Sequence, residues 1–145
     1  MDDAARKRAP RWFRLAALVL MAWGMTGVAA CVSQLTQGAD AMGAASDYDR
    51  ALFASLPLWY RADYAIATAT MLAGAVALLI RSRHAVTLLT VSLVAVLIQF
   101  GWMFAMTDIL AVKGPYTLYF PLLIMAIGAL ALQLAHVARR RGWIV

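Results

Sequence analysis

The chain has 145 residues, of which 64% are hydrophobic and only 14% charged, with 13 Lys and Arg against 7 acidic residues and a net charge of +6. With a mean hydropathy of +0.76, this composition excludes a soluble domain with a water-facing surface and points to an integral membrane protein. The single cysteine excludes an internal disulfide framework and a CxxC-type metal site.

The N-terminal arm carries Arg6, Lys7, Arg8, Arg11 and Arg14, and the apolar run from Leu15 to Leu35 follows it. Basic arm, apolar run and Val28-Ala29-Ala30-Cys31 also fit a bacterial lipoprotein signal, cleaved before the cysteine. The run continues past Cys31 and reaches the spanning length of about 20 residues, which favours an uncleaved helix. Ala17, Leu20, Gly24, Gly27, Cys31 and Gln34 recur at spacings of three and four and so share one face.

The connection from Thr36 to Pro57 is longer than a tight helical hairpin needs. Ser46 with Asp49 three residues on resembles a capping box, and Leu52, Phe53 and Leu56 make an apolar stripe. A short amphipathic helix is expected there, lying in the interface or over the bundle mouth.

A second span is expected over about 57–80, with Asp63, Ala67, Thr70, Gly74 and Ala77 on one face. Arg81 and Arg83 end it. The third, about 85–108, aligns Ser92, Ala95, Gln99, Trp102 and Met106 and leaves Val91, Val94, Leu97 and Ile98 for lipid or another helix. The fourth, about 115–138, leads to Arg139, Arg140 and Arg141. With the first span at about 13–35, the whole chain reads as one all-α membrane domain.

By the positive-inside rule the basic arm, the second connection and the basic tail lie in the cytoplasm, so both termini are inside and the acidic connections face outward. Membrane lipids are the expected partners. Anchoring to anionic lipid accounts for the basic arm without nucleic acid.

Asp63 is the one acid placed where a charge in hydrocarbon is costly. Asp63, Gln34 and Gln99 each fall within roughly 6–14 Å of the outer edge at a helical rise of about 1.5 Å per residue. Arg61 and Tyr64 are the nearest further donors, and Trp102 extends the third-span face. Together they outline a candidate outward-facing polar site. The alternative is that these groups bond one another and only fix the bundle. Trp59, Tyr60, Tyr64, Tyr116 and Tyr119 crowd the same level, as an interfacial belt or as an aromatic wall for a sugar ring, lipid or quinone.

His84 and His136 near the basic end would allow a haem between the third and fourth helices, but histidines beside Arg-rich membrane ends are usually interfacial. No glutamate occurs anywhere in the chain. No phosphate-binding glycine loop, metal-ligand spacing or nucleophile-and-base pair is present. Neither enzyme activity nor a cofactor is expected.

Arg11-Trp12-Phe13-Arg14, Trp23 with Gly27, Gln34, Pro57 with Trp59, Gly74, Arg81 and Arg83 before Ala85, Ser92, Gln99 and Arg141-Gly142-Trp143 give the chain a pattern that resembles the small four-helix bacterial inner-membrane proteins often labelled sugar transporters. The family often has Asn after the first-span tryptophan, where this chain has Gly24. The resemblance implies four spans and sugar-like small-solute transport or binding. Alternating access needs two bundles, so a four-helix transporter is expected to be a homodimer. The other reading is an accessory or assembly subunit docked through its small-residue seams onto a larger membrane complex.

Overall fold

The computed structural model describes residues 7–145; Arg6 of the basic arm lies outside the described residues. It is all helical, with α1 (Arg11–Gln37), α2 (Asp47–Ser55), α3 (Leu58–Leu79), α4 (His84–Met106), α5 (Ile109–Lys113) and α6 (Tyr119–Arg140), plus two short 3₁₀ turns at Gly38–Met42 and Pro115–Leu118. Four of these segments are long and apolar enough to span a membrane, namely α1 with its 3₁₀ extension, α3, α4, and α6 with the turn before it. They match the four expected spans to within a few residues.

Pro10 and Pro57 precede α1 and α3, where a missing N–H costs nothing. Ser46 begins α2 through a full capping box: its hydroxyl accepts from the Asp49 N–H and the Asp49 carboxylate accepts from the Ser46 N–H. The short helix expected in the first connection is therefore present.

Packing runs α1 on α3, α3 on α4 and α4 on α6. The helix order leaves α1 and α6 as the two edges of the array. Where pairs meet, small residues permit close approach, as lipid-embedded association requires. A Cβ on Gly24 would stand 2.9 Å from the Leu72 Cα, and one on Gly74 would stand 2.6 Å from Leu89 Cδ2. The buried faces are Phe13, Ala17, Gly24 and Cys31 on α1 and Ser92, Ala95 and Gln99 on the acidic-end part of α4, close to the expected seams. Met106, the last residue of α4, departs from its seam at 70% exposure. Val91, Val94, Leu97 and Ile98 are exposed, as lipid-facing residues should be.

At the basic end three chain segments are tied together. Lys7 N–H donates to the Gly142 carbonyl, Arg83 N–H to Val145, and Val145 N–H to Arg81. Arg81 sits at φ 62°, the one non-glycine residue with positive φ among the described residues. Its guanidinium offsets that strain by donating to the carbonyls of Trp143 and Lys7. Trp143 and Ile144 are buried, with Trp143 packed on Phe13 and Trp12 at 5.4 and 5.5 Å. Thus Arg81 of the second connection, Trp12 and Phe13 of the arm and Trp143 of the tail converge on one plug.

The acidic end is held by polar contacts between the two connections. Tyr48 of α2 donates to Asp108 at 2.7 Å, and Asp49 pairs with Lys113. Arg50 bonds Asp40 at 3.1 Å. In consequence α2 lies across this end of the bundle, bridging from the α1–α3 side to α5.

Candidate functional site

Because α1 and α6 do not pack against each other near the acidic end, a cavity of about 270 Å³ lies between them over the α3–α4 seam. Its α1 wall is Trp23, Gly24, Thr26, Gly27 and Ala30, and its α6 wall is Phe120, Ile124 and Gly128. The floor comes from Tyr64, Ala67, Thr68 and Met71 of α3 and from Ser92, Leu93, Val96, Gln99 and Phe100 of α4.

Most of this lining is apolar, and its hydroxyls are largely committed. Thr26 donates to the Trp23 carbonyl, Thr68 to Tyr64, and Ser92 across the helix interface to Ala67 at 2.8 Å. Gln99 is only 7% exposed, and its amide lies beside the Tyr60 hydroxyl. With Tyr64 it places polar atoms at the acidic end of an otherwise greasy cleft.

The cavity takes in two of the six candidate residues. Tyr64 and Gln99 line the cavity, while Asp63, Gln34, Arg61 and Trp102 do not. Asp63 precedes Tyr64 by one residue, about 100° around α3, on the side turned away from the Thr68 and Leu72 positions that meet α1. Its Oδ2 is buried with no hydrogen-bond partner among the described residues. Arg61, two residues away and so on the opposite side of the helix, stacks over the Phe53 ring at 4.7 Å instead of meeting Asp63. Trp102 packs on Trp59 and Tyr60 at 5.6 and 5.4 Å, closing the acidic end of the α3–α4 interface. The Gln34 carbonyl accepts the capping N–H of Gly38 as α1 ends.

Sequence reasoning missed the α6 wall. The seams it traced run along α1, α3 and α4, whereas Gly128 in mid-helix and Phe120 were the available signals that α6 borders a space. Tyr116 and Tyr119 are 62% and 72% exposed, as belt residues are, whereas Tyr60 is buried. Among the described residues no cluster of three His, Cys, Asp or Glu side chains could hold a metal ion.

The fold defines an integral membrane protein of four spans. Comparison with protein-family models, with curated proteins and with solved structures finds no match.

Proposed function

We propose that the protein is a binding protein of the bacterial inner membrane, with its basic end in the cytoplasm, that holds one membrane-dissolved amphiphile in the α1–α6 cleft. The observation that carries this reading is the cleft itself: it is apolar, faces the bilayer between two unpaired helix edges, and has Gln99 and Tyr64 at one end. An alkyl or isoprenoid body would replace lipid along the walls. A hydroxyl or carbonyl head would take hydrogen bonds from Gln99 and Tyr64 that hydrocarbon cannot supply.

The sugar-like solute suggested by the family resemblance draws less support from this geometry. A sugar needs many convergent polar partners, and Asp63, Gln34 and Arg61 lie outside the cavity. The role is one of binding, with neither catalysis nor a cofactor in it.

Mass spectrometry of the organic extract of purified protein tests the proposal. An amphiphile should accompany the native chain near one equivalent and disappear from an Ala30→Trp variant that still inserts. A bare native chain, or equal carriage by the filled variant, would contradict it.

A further inference from the structure

A second groove, of about 380 Å³, lies between the basic-end halves of the same two helices, walled by Leu15, Ala16 and Val19 of α1 and Leu130, Ala131 and Leu134 of α6. We propose that it is a site for one anionic phospholipid, with an acyl chain along the groove and the phosphate at Arg11 and Arg141. The groove contains no polar side chain.

Charge complementarity identifies the occupant. Every acidic side chain among the described residues is on α3 or toward the other end, whereas Arg8, Arg11, Arg14, Arg139, Arg140 and Arg141 crowd this one. None of these arginines pairs with an acid in the described part of the chain. Arg11 stands one turn before Leu15, and Arg141 stands two turns after Leu134, so each cation extends one wall of the groove. Trp12 lines the groove mouth and meets Trp143 edge-on at 5.5 Å, and the Arg141 guanidinium lies over that Trp143 ring at 5.4 Å. The Trp143 ring thus seats a cation beside Trp12 at the groove mouth. Pro10 gives α1 no side-chain cap, so its first N–H groups and the positive end of its dipole also face this end.

Native mass spectrometry of the detergent-solubilised chain, titrated with phosphatidylglycerol or phosphatidylcholine of equal chain length, tests the site. One phosphatidylglycerol should be retained in preference to phosphatidylcholine. Ala16→Trp should abolish retention by filling the groove with every arginine intact. Arg11→Gln and Arg141→Gln should each weaken it about fivefold, and Arg14→Gln, on the far side of α1 from Trp12, should leave it unchanged. Arg11 and Arg14 are exposed, so their variants report on binding even if Ala16→Trp fails to fold. Equal retention of both lipids, or equal weakening by Arg14→Gln and Arg11→Gln, would overturn the site in favour of general surface attraction.

Discussion

The Ser92 hydroxyl donates a 2.8 Å hydrogen bond to the main-chain carbonyl of Ala67, joining α4 to α3 beneath the floor of the cleft. Both residues line the cavity. This bond fixes the register of the two central helices and uses up a hydroxyl that would otherwise face the space above it.

Ser92→Ala should therefore insert normally and lower stability by about 0.6 kcal/mol, the average for interhelical bonds in a membrane bundle. The loss stays small because no polar side chain is orphaned. Reversible unfolding in mixed micelles would measure it, and a loss of several kcal/mol would show that the bond anchors more than one helix pair.

The two glycines of α1 should behave differently. A Cβ at Gly24 would lie 2.9 Å from the Leu72 Cα, a backbone atom that cannot move aside alone, whereas a Cβ at Gly27 would meet Thr68 Cγ2 at an ordinary 3.6 Å. Gly24→Ala should cost about 1–3 kcal/mol as an overpacked contact, and Gly27→Ala should be tolerated. Thermal unfolding of the two variants side by side checks the contrast, and equal midpoints would contradict the close α1–α3 approach.

Helix count, spans and two of the packing faces were legible in the sequence, because in hydrocarbon the length of an apolar run and the placement of small residues leave few alternatives. The candidate site was legible only in part. Depth alone brings Asp63, Gln34 and Gln99 to one level, whereas membership of the cleft, which Gln99 and Tyr64 have, depends also on angular position around each helix and on the lateral order of helices, and neither is encoded in a residue's distance from the membrane edge. The basic plug was likewise visible only as separate Arg and Trp motifs until Arg81, Lys7 and Trp143 were seen bonded together.

The α2 clamp should depend on pH at both extremes. Lys113 and then the Ser46 hydroxyl hold the Asp49 carboxyl below the usual carboxylate range. A depressed carboxyl adds stability above its unfolded pKa of about 4 and loses it as pH falls through the lower folded value. Desolvation and then the hydrogen bond to Asp108 push the Tyr48 hydroxyl up to about 12. Its contribution is complete below about pH 10 and fades as pH rises toward the folded value. Distances between spin labels on α2 and α5 should stay fixed at neutral pH and broaden below about pH 4; Asp49→Asn should broaden them at neutral pH as well. Unchanged distances in that variant would deny the ion pair its role.

Arg81→Ala should release the tail, since the guanidinium bonds to Trp143 and Lys7 are lost while the unfavourable φ of 62° remains. Loss of two charge-assisted bonds at about 1.5–3 kcal/mol each sets an upper range that exposure will reduce. Hydrogen exchange at Trp143 and Val145 should rise sharply in the variant, with α3 and α4 protected as before. Unaltered protection of the tail would show that Trp143 packing alone holds it.

The most direct test of the amphiphile cleft is photocrosslinking in proteoliposomes with a long-chain alcohol carrying a diazirine. If the cleft holds such a molecule, adducts concentrate on Thr26, Ala30 and Ile124 and vanish in Ala30→Trp. Adducts spread evenly over lipid-facing positions such as Val94 and Leu97, without enrichment in the cleft, would contradict the account.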